Sequence, residues 1–308
     1  MDTRRIGSLE VSAVGLGCNN FGTRLDFYAS ASVVETALEA GVTFFDTADV
    51  YGAGRSEEFL GSVLAPHRSR VVLATKFGMD MGGGRKGARP EYVRRAVEAS
   101  LRRLRTDHID LYQLHRPDRE TPLADTLGAL SELVASGQVR EIGCSSFTAP
   151  ELAAAREAAG GGAKFASVQN EFSLLNREPE QGVLAECEKQ GLAFLPYYPL
   201  ASGVLSGKYR RGAQPPGGTR LATNTDWARR FLTERNLAVA GALQAWATAR
   251  GHTLLELAVS WLLARPAVSS VIAGASSPAQ VKANAAAGGW RLTPGDLGEI
   301  DRVMEAVQ

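Results

Sequence analysis

Val71-Val72-Leu73-Ala74-Thr75-Lys76 is followed by Ala88-Arg89-Pro90 and the stripe Val93, Val97, Leu101, Leu104, and then by Ile109-Asp110-Leu111-Tyr112-Gln113-Leu114-His115. The outer runs are short, rich in Val, Ile and Leu, and do not alternate with polar residues, as strands covered on both faces by helices do not. The middle segment has Pro near the first helical position and apolar residues at helical spacing. The stretch therefore reads strand, helix, strand.

The same rhythm extends both ways. Further strand-length runs are Val14–Gly17, Thr43–Asp46, Glu141–Cys144, Ser167–Gln169, Ala193–Tyr197 and Ser270–Ala273, making eight in all. Helical segments are expected at Val33–Ala40, from Thr121-Pro122 through Leu133, and at Pro150–Ala159, Glu180–Gln190, Leu237–Ala249, Leu254–Ala264, Pro278–Ala286 and Pro294–Val307. Thr3 to Val14, with the turn-like Gly7-Ser8, reads as a hairpin. Eight strands followed by helices predict an α/β fold of the (β/α)8 barrel type, with residues 1–308 as one domain. Gly78–Arg89 and Gly203–Asp226 break the rhythm as long Gly- and Pro-rich loops, and in a barrel the loops that follow strands build the active face.

Composition sets outer bounds. The 308 residues are 44% hydrophobic and 22% charged, with a net charge of +1, which argues against wholesale nucleic-acid or anionic-membrane binding. No apolar run reaches the ~18 residues of a membrane span, and the first residues lack a signal-peptide pattern, so a soluble cytoplasmic protein is expected. Cys18, Cys144 and Cys187 are too few and too scattered for a disulfide framework or a zinc knuckle.

The chemistry lies in polar residues at strand ends. Asp46, Lys76 and His115 each end an apolar run, as do Ser145 and Gln169, and Tyr51 follows Asp46 by five residues. In a parallel barrel these ends converge on one rim. A single strand-end charge is ordinarily a rim ion pair and a lone His or Tyr ordinarily packs, but four such residues at matching ends are hard to assign to chance. Asp46 would pair with Lys76, the ammonium would favour ionisation of Tyr51, and His115 would donate to a carbonyl oxygen. Together they form a general acid aimed at a carbonyl.

Three blocks carry a family resemblance: Phe45-Asp46-Thr47-Ala48-Asp49-Val50-Tyr51-Gly52, Ala74-Thr75-Lys76-Phe77-Gly78 and Asp110-Leu111-Tyr112-Gln113-Leu114-His115-Arg116-Pro117-Asp118. They resemble signature blocks of the aldo-keto reductase superfamily, in its order and spacing. The resemblance implies a (β/α)8 barrel whose N-terminal hairpin closes the bottom, a nicotinamide dinucleotide, and Asp46, Tyr51, Lys76 and His115 as catalytic tetrad with Tyr51 the proton donor. It implies nicotinamide contacts from Ser145, Ser146 and Gln169, with Ser146 standing where the family has Asn or Arg. Tyr197-Tyr198-Pro199-Leu200 resembles the block whose first aromatic stacks on the nicotinamide, with Tyr198 in place of a common Ser. Gly203 to Tyr209 resembles the loop over the pyrophosphate, implying contacts from Gly203, Leu205 and Lys208. Arg220 falls where the branch containing the potassium-channel β subunits places an arginine near the 2′-phosphate. Gly274-Ala275-Ser276-Ser277-Pro278-Ala279-Gln280, with Asn284, resembles the adenosine-phosphate block, and a helix N-terminus attracts phosphate. The Arg that many relatives carry at 276 or 280 is absent. Arg220 and the serines favour NADPH, with NADH as the alternative.

Expected pocket walls are Asn19, Asn20, Phe21, Tyr28, Phe77, Met79 and Trp227. The short stretch after Asn284 predicts an open pocket for varied aldehydes and ketones, with a small-molecule carbonyl compound as the partner. The Gly82, Gly84, Gly87 spacing lies too far past its strand for a dinucleotide fingerprint. Four histidines, three of them away from strand ends, are too few for a metal-dependent barrel hydrolase, so no metal is expected. The non-enzyme alternative is a nucleotide-sensing regulatory subunit with slow turnover.

Overall fold

In a computed structural model, residues 1–307 are described, and the alternation closes into a barrel. A hairpin of β1 (Thr3–Ile6) and β2 (Leu9–Ser12) precedes eight parallel strands: β3 (Val14–Gly17), β4 (Phe44–Asp46), β5 (Val72–Phe77), β6 (Ile109–Leu114), β7 (Val139–Ser145), β8 (Phe165–Glu171), β9 (Ala193–Tyr197) and β10 (Val271–Gly274). Their order around the sheet is β10-β3-β4-β5-β6-β7-β8-β9. The circle closes where the Phe194 N–H donates to the Ala267 carbonyl at 2.7 Å and the Ser269 N–H donates to the Phe194 carbonyl at 3.0 Å.

The helices are α1 (Phe27–Glu39), α2 (Arg55–Leu64), α3 (Pro90–Leu104), α4 (Leu123–Ala135), α5 (Ala149–Ala158), α6 (Val183–Gln190), α7 (Arg220–Thr223), α8 (Thr225–Phe231), α9 (Glu234–Thr248), α10 (Leu254–Leu263), α11 (Pro278–Ala286) and α12 (Pro294–Glu305). Capping boxes at Thr148/Glu151, Thr253/Glu256 and Thr293/Asp296 start α5, α10 and α12. Helix α2 was not expected from the sequence, although acidic Glu57 and Glu58 in its first turn and the buried pair Leu60 and Leu64 are its signature. The segment expected as an irregular loop from Gly203 carries α7 and the start of α8.

Strand parity sorts the side chains into two cores. Phe45, Leu73, Tyr112, Leu114, Val168 and Phe194 point outward into the layer beneath the helices. Phe44, Val72, Ala74, Leu111, Ala193, Leu195 and Ile272 form a separate interior cluster with Ile6, Leu9 and Val11 of the hairpin. The hairpin thus plugs the N-terminal end of the barrel. One step further along each strand the inward positions become polar: Asp46, Lys76, Gln113, Ser145 and Gln169 are all buried. No helix among the described residues is long and apolar enough to cross a membrane.

Candidate active site

The polar interior layer is a hydrogen-bonded unit. Lys76 Nζ donates to Asp46 Oδ2 at 2.5 Å and to the Thr47 carbonyl at 3.0 Å. Asp46 Oδ1 accepts from Gln113 Nε2 and from Gln169 Nε2, each at 3.0 Å. Such a buried ion pair survives because its remaining hydrogen-bonding capacity is also met. Gln113 escaped the sequence analysis, and its signal was a polar residue of the same strand parity as His115 within an apolar run.

Tyr51 stands on the turn after β4. Gly52 holds φ 60°, and a Cβ there would lie 2.9 Å from the Phe21 carbonyl oxygen, so only glycine fits this turn. The turn sets the Tyr51 ring edge-to-face against His115, with centroids 5.7 Å apart, and Lys76 Nζ 5.4 Å from the Tyr51 centroid. Burial, reinforced by the Asp46 charge, pushes the Tyr51 phenol well above the ordinary tyrosine range. This reverses the direction expected from Lys76, because burial and the Asp46 charge outweigh its ammonium. Burial, with Lys76 and Arg116 adding to it, lowers His115 to about 3, so its imidazole is neutral at neutral pH, and its Nδ1 has no partner among the described residues.

Tyr51, His115 and Asp46 open onto a cleft of about 840 Å3 across the C-terminal ends of the strands. Ser145, Ser146, Gln169, Tyr197, Tyr198 and Leu200 line the same cleft. So do Gly203, Lys208, Arg220, Gly274, Ser276, Gln280 and Asn284, together with Asn20 and Trp227. Ser146, Tyr198 and Ser202 along its walls adopt left-handed φ between 51° and 61°, strain of the kind that gathers at functional sites. Arg220 Nη2 donates to Asn20 Oδ1 at 2.7 Å, while Asn20 Nδ2 donates to the Ala275 carbonyl at 3.0 Å, tying the α7 segment to the end of β10. Ser276 donates through its backbone N–H to Gln280 Oε1 at 2.9 Å.

Several expected positions fall elsewhere. Phe77 follows inward-facing Lys76 on β5, so parity turns it outward, fully buried and stacked on Tyr112 at 4.6 Å. Phe21 and Leu205 are likewise fully buried in the outer core, and neither side chain lines the cleft. Tyr28 lies on the solvent face of α1 at 82% exposure, and Met79 is outside the cleft. Lys76 itself is buried beside Asp46 and does not line the cleft. Conversely, the cleft includes Arg24, Arg116, Glu171 and Arg230, which the sequence analysis did not single out. Gly82, Gly83 and Gly84 sit in an exposed turn away from it.

The cleft suits a polyanion. Its two carboxylates among the described residues are already paired, Asp46 with Lys76 and Glu171 with Arg230 at 2.5 Å. Arg24, Lys208 and Arg220 have no carboxylate within 4 Å among the described residues, and burial together with Arg24 and Arg220 lowers the Lys208 pKa. Three mutually repelling cations along one groove are the donor set that dinucleotide phosphates require.

Residues 13–305 match the model of the Aldo/keto reductase family. The chain belongs to the aldo/keto reductase family. Aldo/keto reductases are oxidoreductases that work with nicotinamide coenzymes. Among curated relatives, the chain is 31% identical to "Aldo-keto reductase YhdN" of Bacillus subtilis (strain 168), over 96% of this chain and 91% of the relative. It is 33% identical to "Probable voltage-gated potassium channel subunit beta" of Arabidopsis thaliana, over 97% and 94%. Among solved structures, the glycerol dehydrogenase AKR11B4 from Gluconobacter oxydans superposes with a TM-score of 0.86 at 30% identity, over 99% of this chain and 95% of the other.

Proposed function

We propose that this aldo/keto reductase reduces an aldehyde or ketone to the alcohol with NADPH, Tyr51 giving the proton. The observation that carries this is a phenol and an imidazole held edge-to-face beside the buried Lys76–Asp46 pair, in a cleft that Arg24, Lys208 and Arg220 also line without carboxylate partners. When bound, the reduced coenzyme supplies the hydride. Ser145, Ser146 and Gln169 would hold its carboxamide, Tyr197 its nicotinamide ring, and Arg24, Lys208 and Arg220 its phosphates, with Ser276, Gln280 and Asn284 at the adenosine end. The preference for NADPH is supported by the surplus of cations and by the pairing of both cleft carboxylates, since a free carboxylate would repel a 2′-phosphate.

Tyr51 keeps its proton at neutral pH because burial and Asp46 disfavour the phenolate. The proton leaves only as charge develops on the carbonyl oxygen, and the Lys76 ammonium, 5.4 Å from the Tyr51 ring centroid, then offsets the charge left on the phenolate. His115, neutral, has one ring N–H to orient that oxygen. Gln113 and Gln169 hold Asp46, and through it Lys76, in place.

Tyr51→Phe should abolish reduction of an activated aromatic aldehyde, followed by loss of reduced-nicotinamide absorbance, while coenzyme still quenches tryptophan fluorescence. A variant keeping most of its rate would refute the role. Similarity to the potassium-channel subunits supports a second reading, a nucleotide-sensing subunit with slow turnover. Coenzyme binding without reduction of any aldehyde would place that reading first.

A further inference from the structure

The cleft holds a fourth cation without a carboxylate partner, apart from the three assigned to phosphates. Arg116 follows His115 directly, where the chain leaves β6 with the His115 N–H donating to the Phe77 carbonyl at 2.9 Å. Its side chain is exposed and lines the cleft. Its charge also reaches the reacting end, since it helps Lys76 and burial lower the His115 pKa, whereas Arg24 and Arg220 act on Lys208.

The backbone beneath Arg116 is fixed. Pro117 follows it, and Asp118 then closes a turn: Oδ2 accepts from the Ala88 N–H at 2.7 Å and from Thr121 Oγ1 at 2.8 Å, and Oδ1 accepts from the Glu120 N–H at 2.9 Å. Neighbouring arginines have carboxylate partners: Arg119 faces Glu151 at 3.9 Å, Arg89 faces Glu120 at 3.6 Å, and Arg230 holds Glu171. Arg116 alone of these has no carboxylate within 4 Å and no hydrogen-bond acceptor for its guanidinium among the described residues. A guanidinium on a rigid base, unpaired and lining the same cleft as Tyr51 and His115, is a fork for a planar anion.

We infer that Arg116 recognises a carboxylate on the substrate, so that the preferred substrates are carbonyl compounds bearing a carboxylate. This inference rests on the reductase reading. It narrows the open pocket expected from the sequence to a charge-selective one.

The test compares 2-, 3- and 4-carboxybenzaldehyde with their methyl esters, which keep the ring and remove the charge; because an ester withdraws electrons more strongly than a carboxylate, an acid preference runs against intrinsic reactivity. For at least one isomer, kcat/KM should favour the acid over its ester by about tenfold, the lower end for a charge-assisted hydrogen bond. That preference should shrink as salt is raised from 50 to 500 mM, roughly from beyond to below the range at which exposed charges are screened. Arg116→Gln should bring the acid-to-ester ratio near one, and Arg116→Lys should keep part of it. Esters favoured or equal for every isomer, or an acid preference that Arg116→Gln leaves intact, would overturn the assignment while the reductase reading stands. Turnover of none of the six by the unaltered protein would overturn the reductase reading and this inference together.

Discussion

Asp49→Asn should stabilise the protein, by an amount that grows with pH. Asp49 is 2% exposed two residues before Tyr51, its Oδ1 has no partner, and its backbone N–H donates to the Lys76 carbonyl at 3.0 Å. Burial is the main reason its carboxyl is raised from 3.8 to about 7, and the Glu57 carboxylate on α2 adds to it. Arg103 on α3 opposes the shift, but its Nε is committed to Glu57 Oε2 at 2.6 Å. Lys76 on β5 and the Val50 N–H oppose it less, and Tyr92 on α3 and Tyr112 on β6 complete the surroundings.

The sign follows from proton counting. Below about pH 4 both folded and unfolded chains carry the Asp49 proton, and the buried acid is neutral. Between about 4 and 7 the unfolded chain has lost it and the folded chain keeps it, so stability falls as pH rises through that window. Above about 7 both forms are ionised and the full penalty is present. A shift from 3.8 to about 7, at ~1.4 kcal/mol per unit, gives a ceiling of about 4 kcal/mol. Asparagine mimics the neutral acid, so variant and parent should coincide near pH 4 and diverge to a plateau above pH 7. Urea unfolding of both proteins, followed by tryptophan fluorescence at pH 4, 5, 6, 7 and 8, measures the difference. A difference that is flat or shrinks with pH would refute the reasoning.

Lys76→Met should leave Asp46 buried without its cation and cost about 3–5 kcal/mol of stability as well as activity, read from urea midpoints and aldehyde turnover. Gly143→Ala would place a Cβ 2.6 Å from Ser167 Oγ inside the barrel and should destabilise by about 1–3 kcal/mol, measured in the same way. Ser276→Arg should tighten NADPH, by about tenfold in Kd from fluorescence quenching, and leave NADH unaffected, because a bidentate guanidinium adds affinity only where a 2′-phosphate is present.

The barrel was legible because buried strands must be continuously apolar and covering helices must be striped, patterns that survive in one dimension. The shared rim was legible because Asp46, Lys76 and His115 fall at the ends of those strands and Tyr51 follows one of them by five residues, and a parallel barrel brings all such ends together. Parity could also have been read but was outweighed by residue type. Phe77 looked like a pocket aromatic, yet its neighbour Lys76 points inward and turns it into the outer core. Gln113 looked like strand filler, yet it shares parity with His115 and holds Asp46.

The sequence by itself determined the eight strands, most of the helices between them, the hairpin and the polar residues at the strand ends, since each depends on local periodicity or position along a strand. Tertiary structure alone decided which charges remain unpaired. Arg116, Arg119 and Arg230 are indistinguishable in the sequence, and only their distances to Glu151 and Glu171 separate neutralised cations from a free one. It decided protonation as well: the balance between burial and neighbouring charge at Tyr51, His115 and Asp49 depends on how distant segments enclose them, which no local pattern encodes.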